Sequence, residues 1–286
     1  MVENLFKDKK MNETKLVFYV GSTLLEGPRW SDELNALLCV SIEQERIFLI
    51  NEEDQFIKTF KTHGQVGFAV FKDQNTIIYA AYDGVFELDI ATGKDKFIFQ
   101  ANNDKTLRYN DGDYDPKGRL LLGTTGYKRF AKGENCLYSA NADGSNLKKI
   151  VENTSISNGI AFAPDSKYLY FIDTPTKKVG RYKYNIENGD CKFDKYVVEI
   201  KDGGVPDGMC IDKEGNIYVA EWGGFKVCKW NPKTGECLKK YSVPVQNVSS
   251  CTIGGKNHDT LFITTAIHDD GTESELAAGG LFVVKL

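Results

Sequence analysis

Five oxygen-bearing side chains recur along this chain at a near-regular interval. Glu26, Asp111, Asn158, Asp207 and Ser249, with Val66 completing the series, are separated by roughly 40–49 residues. Each opens a segment of similar make-up, and in chain order these are Glu26-Gly27-Pro28-Arg29-Trp30, Val66-Gly67-Phe68-Ala69-Val70, Asp111-Gly112-Asp113-Tyr114-Asp115, Asn158-Gly159-Ile160-Ala161-Phe162, Asp207-Gly208-Met209-Cys210-Ile211 and Ser249-Ser250-Cys251-Thr252-Ile253. Three carboxylates brought to one point repel one another unless a cation sits between them. Hard oxygen donors suit Ca²⁺, Mg²⁺ or Mn²⁺ best and Zn²⁺ less distinctively. No His falls in the series, which argues against a dedicated zinc site. The same residue types also serve to solvate a channel mouth and cap strand ends, and the repeat alone leaves both uses open.

The elements that must position these residues follow from the same alignment. After each segment comes a polar turn and then a short apolar run, at 36–40, 76–80, 119–123, 168–172, 217–220 and 260–264. Several runs are continuously apolar, as expected of strands covered on both faces. Gly-containing turns then close a second hairpin: Ala91-Thr92-Gly93-Lys94, Ala142-Asp143-Gly144-Ser145, Glu187-Asn188-Gly189-Asp190 and Pro232-Lys233-Thr234-Gly235. A period of about 40–50 residues with four strands per unit is that of a propeller blade. The pattern predicts an all-β, six-bladed β-propeller of four-stranded antiparallel blades, as one domain over residues 14–286. Residues 14–20 read as a strand that joins the last blade beside 280–286 and so removes an exposed edge. Residues 1–13 read as a flexible tail. In this architecture the first strand of each blade lines the central channel, so the recurring oxygens form a ring at its mouth.

Composition narrows the partners. The chain has 286 residues, a net charge of −4 and no basic stripe, so nucleic acid is not expected. No run approaches the ~18 apolar residues of a membrane span. The polar N-terminus lacks the apolar core of a signal peptide, which predicts a reducing, cytoplasmic location. Seven cysteines, an odd number without a CxxC pair, predict free thiols rather than a disulfide framework or thiolate metal site. His63, His258 and His268 are read as surface or loop residues. Oligomeric state leaves no trace in the sequence.

The segments Glu26-Gly27-Pro28-Arg29-Trp30, Arg108-Tyr109-Asn110-Asp111-Gly112, Ser157-Asn158-Gly159-Ile160-Ala161-Phe162 and Pro206-Asp207-Gly208-Met209-Cys210-Ile211-Asp212 resemble the signature segments of the SMP-30/gluconolactonase/regucalcin family. So do Ser249-Ser250-Cys251 with Gly254-Gly255, and Gly279-Gly280-Leu281-Phe282. The resemblance runs from about residue 24 onward. It implies a six-bladed propeller with one divalent metal ion (Ca, Mg, Mn or Zn) held by Glu26, Asn158 and Asp207. It also implies substrate contacts from Arg108 and Asn110, which favours Asn110 over Asp111 as the inward group. Two departures stand out. Where vertebrate-type members carry a sugar-contacting Glu, this chain has Gly126-Tyr127-Lys128-Arg129. It also reads Val40-Ser41-Ile42 where the family often has Val-Asp-Ile.

The chemistry expected from these residues is hydrolysis of small sugar or related lactones, by attack of metal-activated water on the lactone carbonyl. Asp207 would be both ligand and proton acceptor. Arg108 would hold a carboxylate or hydroxyl of the substrate with its planar fork, and Asn110 would orient a ring oxygen. A non-catalytic calcium-binding propeller is one alternative, since fold does not fix function. A metal-dependent hydrolase of phosphotriesters or aryl esters is the other. Ser41 has no evident His and Asp partners for a nucleophilic triad. Trp222 reads as a packed blade aromatic, Asp173 equally as a strand-end cap or a neighbour of the site, and residues 268–277 as an acidic loop.

Overall fold

A computed structural model describes residues 14–51, 57–267 and 277–286. The predicted tail 1–13 and most of the predicted loop 268–277 lie outside the described residues. Six four-stranded antiparallel sheets fill the rest, and their innermost strands are β2 (Leu25–Ser31), β6 (Val66–Asp73), β10 (Leu107–Tyr114), β14 (Ser157–Phe162), β18 (Val205–Ile211) and β22 (Asn247–Gly254). Each inner strand packs against the next, and β22 packs back on β2, so the ring closes around a channel. The expected six-bladed propeller is the observed fold.

The apolar runs become the second strands: β3 (Ala36–Ser41), β7 (Thr76–Ala81), β11 (Leu120–Gly126), β15 (Tyr168–Asp173), β19 (Ile217–Trp222) and β23 (Thr260–Ala266). Their continuity has a simple cause. Successive side chains of a strand point to opposite faces, and each blade has a neighbour on both. In β3, Leu37 and Cys39 enter a core shared with Phe262 and Leu281 of the last blade. Leu38 and Val40 enter a core shared with Val66, Ile77 and Tyr79 of the second. The same division puts a separate apolar core at each of the remaining blade junctions. No face is left to water, so no polar alternation appears.

All six inner strands break register with their neighbours at the same place. The shift lies between Glu26 and Arg29, Val66 and Phe68, Tyr109 and Gly112, Asn158 and Ile160, Pro206 and Met209, and Val248 and Ser250. A β-bulge bends the strand and re-aims a side chain, and here it falls on the recurring positions of the alignment. The glycine that follows answers to crowding between blades. A Cβ on Gly159 would lie 2.8 Å from the Asp207 carbonyl oxygen, and one on Gly208 would lie 2.1 Å from the Ser250 hydroxyl.

Ring closure runs through the last blade. Its strand order is β22, β23, β24 (Gly280–Lys285), then β1 (Lys15–Tyr19) on the outside. Lys15 pairs with Val283 and Tyr19 with Gly280, so the N-terminal strand joins the final blade as expected. Gly93, Gly144, Gly189 and Gly235 all hold positive φ in the predicted turns.

Candidate functional site at the channel mouth

The bulges gather the candidate residues at one end of the channel. Asp207 and Asn158 are buried, with 5% and 6% of their surface exposed. Glu26, Arg108 and Asn110 keep part of their surface open, so the cluster is approachable from one side.

Hydrogen bonds link three inner strands, β10, β14 and β18. The Asn110 amide donates to the Ser157 carbonyl at 3.0 Å and to Asn158 Oδ1 at 3.2 Å. Arg108 Nη1 donates to Asn110 Oδ1 at 2.9 Å and to the Tyr109 carbonyl at 2.8 Å. Thr174, just past β15, donates its hydroxyl proton to the Pro206 carbonyl at 2.9 Å and accepts from Asn158 Nδ2 at 3.0 Å. With its proton committed, the Thr174 oxygen can only accept, which fixes the Asn158 amide with its NH₂ toward Thr174. The Asn158 amide also favours the ionised form of the neighbouring Asp207 carboxylate.

Electrostatics set the character of the cluster. Burial pushes the Glu26 carboxyl up to about 8, and the Asp111 charge adds to the rise. The Gly27 amide, donating to Glu26 Oε2 at 2.9 Å, offsets only part of it. Asp207 is raised well above its ordinary value by burial and then by the charges of Glu26 and Asp111. Burial lowers the Arg108 guanidinium to about 10, although Glu26, Glu43 and Asp207 favour its charge. These are the signs of like charges confined in low dielectric.

Asn110 and Asp111 both fall in the bulge of β10 and turn to different partners. Asn110 joins Asn158 and Arg108. Asp111 goes to Arg29, whose Nη2 lies 3.3 Å from its carboxylate and donates to the Gly112 carbonyl at 3.0 Å. Arg29 Nε lies 3.2 Å from Asp113 as well. Of the recurring positions, Val66 is fully buried in the core. Ser249 donates to the Leu25 carbonyl at 2.6 Å and bonds Thr264 Oγ1 at 2.9 Å. Neither offers a free oxygen.

The donor set and its charge decide whether a cation fits. Among the described residues no three His, Cys, Asp or Glu side chains are grouped to hold a metal. The implied set has two carboxylates and an amide, and hard divalent ions take amide oxygens alongside carboxylates. Five carboxylates (Glu26, Glu43, Asp111, Asp113 and Asp207) interact with two guanidinium groups, Arg29 and Arg108. Carboxylates outnumber guanidinium groups, and a divalent ion offsets that formal excess. The residues present therefore fit such an ion.

The remaining sequence candidates take ordinary roles. Ser41 Oγ bonds Ser22 and Gln44, with no His or Asp among its hydrogen-bond partners in the described residues. Asp173 accepts from the Ser155 and Ile156 amides and caps that loop. Trp222 ends β19 half-buried. His63 pairs with Asp95, and His258 with Asp32. His268 lies outside the described residues. All seven cysteines are free. Two contributors went unread in the sequence. Thr174 carries no signal beyond its place after a strand. Arg29 did carry one, because two other inner strands have Ala69 and Ala161 at its repeat position.

Comparison with known proteins agrees with this architecture. Residues 24–267 match the model of the SMP-30/gluconolactonase/LRE-like region. The Bacillus subtilis (strain 168) protein YvrE, provisionally named a sugar lactone lactonase, is 34% identical over 267 residues, covering 91% of this chain and 90% of the relative. Human regucalcin is 28% identical over 268 residues, covering 91% and 89%. A solved luciferin-regenerating enzyme superposes with a TM-score of 0.85 at 26% identity, covering 93% and 92%. No helix among the described residues is long and apolar enough to cross a membrane. The chain belongs to the SMP-30/gluconolactonase/LRE-like family.

Proposed function

We propose that this protein is a divalent-ion-dependent hydrolase of small lactones, acting at the channel mouth. The observation that carries this reading is the convergence of two carboxylates, Glu26 and Asp207, whose hold on their protons is raised by burial and by neighbouring like charges, beside an amide whose orientation is fixed. Family membership and the lactonase name of the B. subtilis relative support the reaction class.

Glu26, Asn158 and Asp207 would hold the ion. Such an ion supplies Lewis acidity toward a carbonyl and lowers the pKa of water. The protein's own groups do the rest. Asp207, made more basic by burial and its neighbours, accepts the proton of the attacking water. Arg108 has one nitrogen committed to Asn110 and the Tyr109 carbonyl, and it presents the rest of its fork to a hydroxyl or carboxylate of the substrate. Asn110, held between Arg108 and Asn158, orients the ring. The buried inner strands below limit the approach of bulk water and strengthen each of these interactions.

A panel of sugar lactones, aliphatic lactones, aryl esters and phosphotriesters, assayed with Ca²⁺, Mg²⁺, Mn²⁺ and Zn²⁺ in turn, tests the reading. Lactone turnover lost to a chelator and restored by one ion is the expected result. Ion binding without turnover of any substrate would point instead to a calcium-binding protein. Preferential phosphotriester or aryl-ester turnover would reassign the substrate.

A further inference from the structure

One long side chain links the first inner strand to the third. Arg29 leaves the first blade, reaches Asp111 and Asp113 of the third, and its charge is also felt at Cys210 of the fifth. Its side chain is only 15% exposed. A buried guanidinium is costly unless it is paired and hydrogen-bonded. Arg29 meets that need with two carboxylates and the carbonyls of Pro28 and Gly112. At the same repeat position the second and fourth blades carry Ala69 and Ala161, which pack in the cores between blades. Asp111 would otherwise face the same space as Glu26 and Asp207, since its charge reaches both.

We infer that Arg29 is a positioning residue: it draws Asp111 out of the cation pocket and serves as a fixed internal cation, leaving Glu26, Asn158 and Asp207 as the donor set of one divalent ion. The inference rests on the proposed ion site and adds to it the residue that sets its affinity. It requires charge-specific effects of opposite sign. Arg29→Met frees Asp111 and makes the pocket more negative. Asp111→Asn leaves Arg29 under-compensated and makes it more positive. The double variant restores the balance. At the few-ångström separations of the channel, one unit of charge changes affinity for a doubly charged ion by on the order of tenfold.

Titration calorimetry of Ca²⁺ and Mn²⁺ into the full chain, stripped of metal beforehand, reads this without reference to turnover. Expected are tighter binding in Arg29→Met, weaker binding in Asp111→Asn, near wild-type binding in the double variant, and near wild-type binding in Arg29→Lys. Damage to packing alone would weaken the first two together and the double variant most. Two single variants that bind as the wild type does, or that shift in the same direction, would overturn the inference while leaving the ion site standing. A wild-type chain that binds no divalent ion would overturn the site and the inference together. Should Arg29→Met fail to fold, Arg29→Gln, which keeps polar contacts without the charge, takes its place: tighter binding supports the role, and unchanged or weaker binding overturns it.

Discussion

The six inner strands share one backbone device, but only four of them deliver polar groups to the cluster. Blades one, three, four and five use the bulge to aim Glu26, Asn110, Asn158 and Asp207 at the channel mouth, with Arg108 just ahead of the bulge in blade three. Blades two and six have the same bulge, yet Val66 is buried in a core and Ser249 spends its hydroxyl on Leu25 and Thr264. The bulge thus belongs to ring construction, and chemistry is a matter of which side chains are placed on it. A repeat can keep its backbone symmetry for stability while its side chains break that symmetry for function.

The largest effect should come from a loaded position. Asp207→Asn keeps shape and removes a charge, and is expected to lower kcat/KM on the best lactone by roughly a thousandfold, with loss of divalent-ion binding by calorimetry. A chain with near-native turnover would erase the difference between blades. The next test is pH. Glu26, at about 8, and Asp207, also raised, hold protons more tightly folded than unfolded. Without metal, the contribution of Glu26 to stability is present below about pH 4.5 and is lost as pH rises through about 8, on the order of 3–5 kcal/mol at about 1.4 kcal/mol per unit, and Asp207 acts in the same direction. Thermal melts in chelator should therefore fall across this range. Excess divalent ion should cancel the fall, since it binds the ionised carboxylates. A melting temperature insensitive to both pH and ion would separate these carboxylates from any cation.

Smaller effects belong to the shared backbone. Gly208→Ala forces a Cβ into Ser250 and is expected to cost about 1–3 kcal/mol, seen as a lower melting temperature. Ser249→Ala removes two buried hydrogen bonds and should cost about 1–2 kcal/mol, with kcat/KM within about twofold of wild type. Loss of turnover in a folded Ser249→Ala chain would show that the sixth blade is loaded after all.

Much of this comparison was legible in the sequence, for physical reasons. Continuous apolar runs such as Leu37–Val40 register two neighbouring blades at once, so the propeller was written in burial. Glycines 159 and 208 registered the crowding of inner strands. The choice between Asn110 and Asp111 was not legible, because a bulge places consecutive residues where neither strand alternation nor spacing predicts direction. Their partners, Asn158 and Arg29, lie 48 and 82 positions away, and only the closed ring brings them together. Thr174 was invisible for the same reason: its role depends on a carbonyl 32 residues later.

The central claim is that Glu26, Asn158 and Asp207 share one cation. A crystal grown with Mn²⁺ and measured at the manganese absorption edge tests it most directly. The account predicts a single anomalous peak at the channel mouth, with an oxygen of each of the three side chains at about 2.0–2.6 Å. A peak held by other residues, or full Mn²⁺ saturation with no peak between these three, would contradict it.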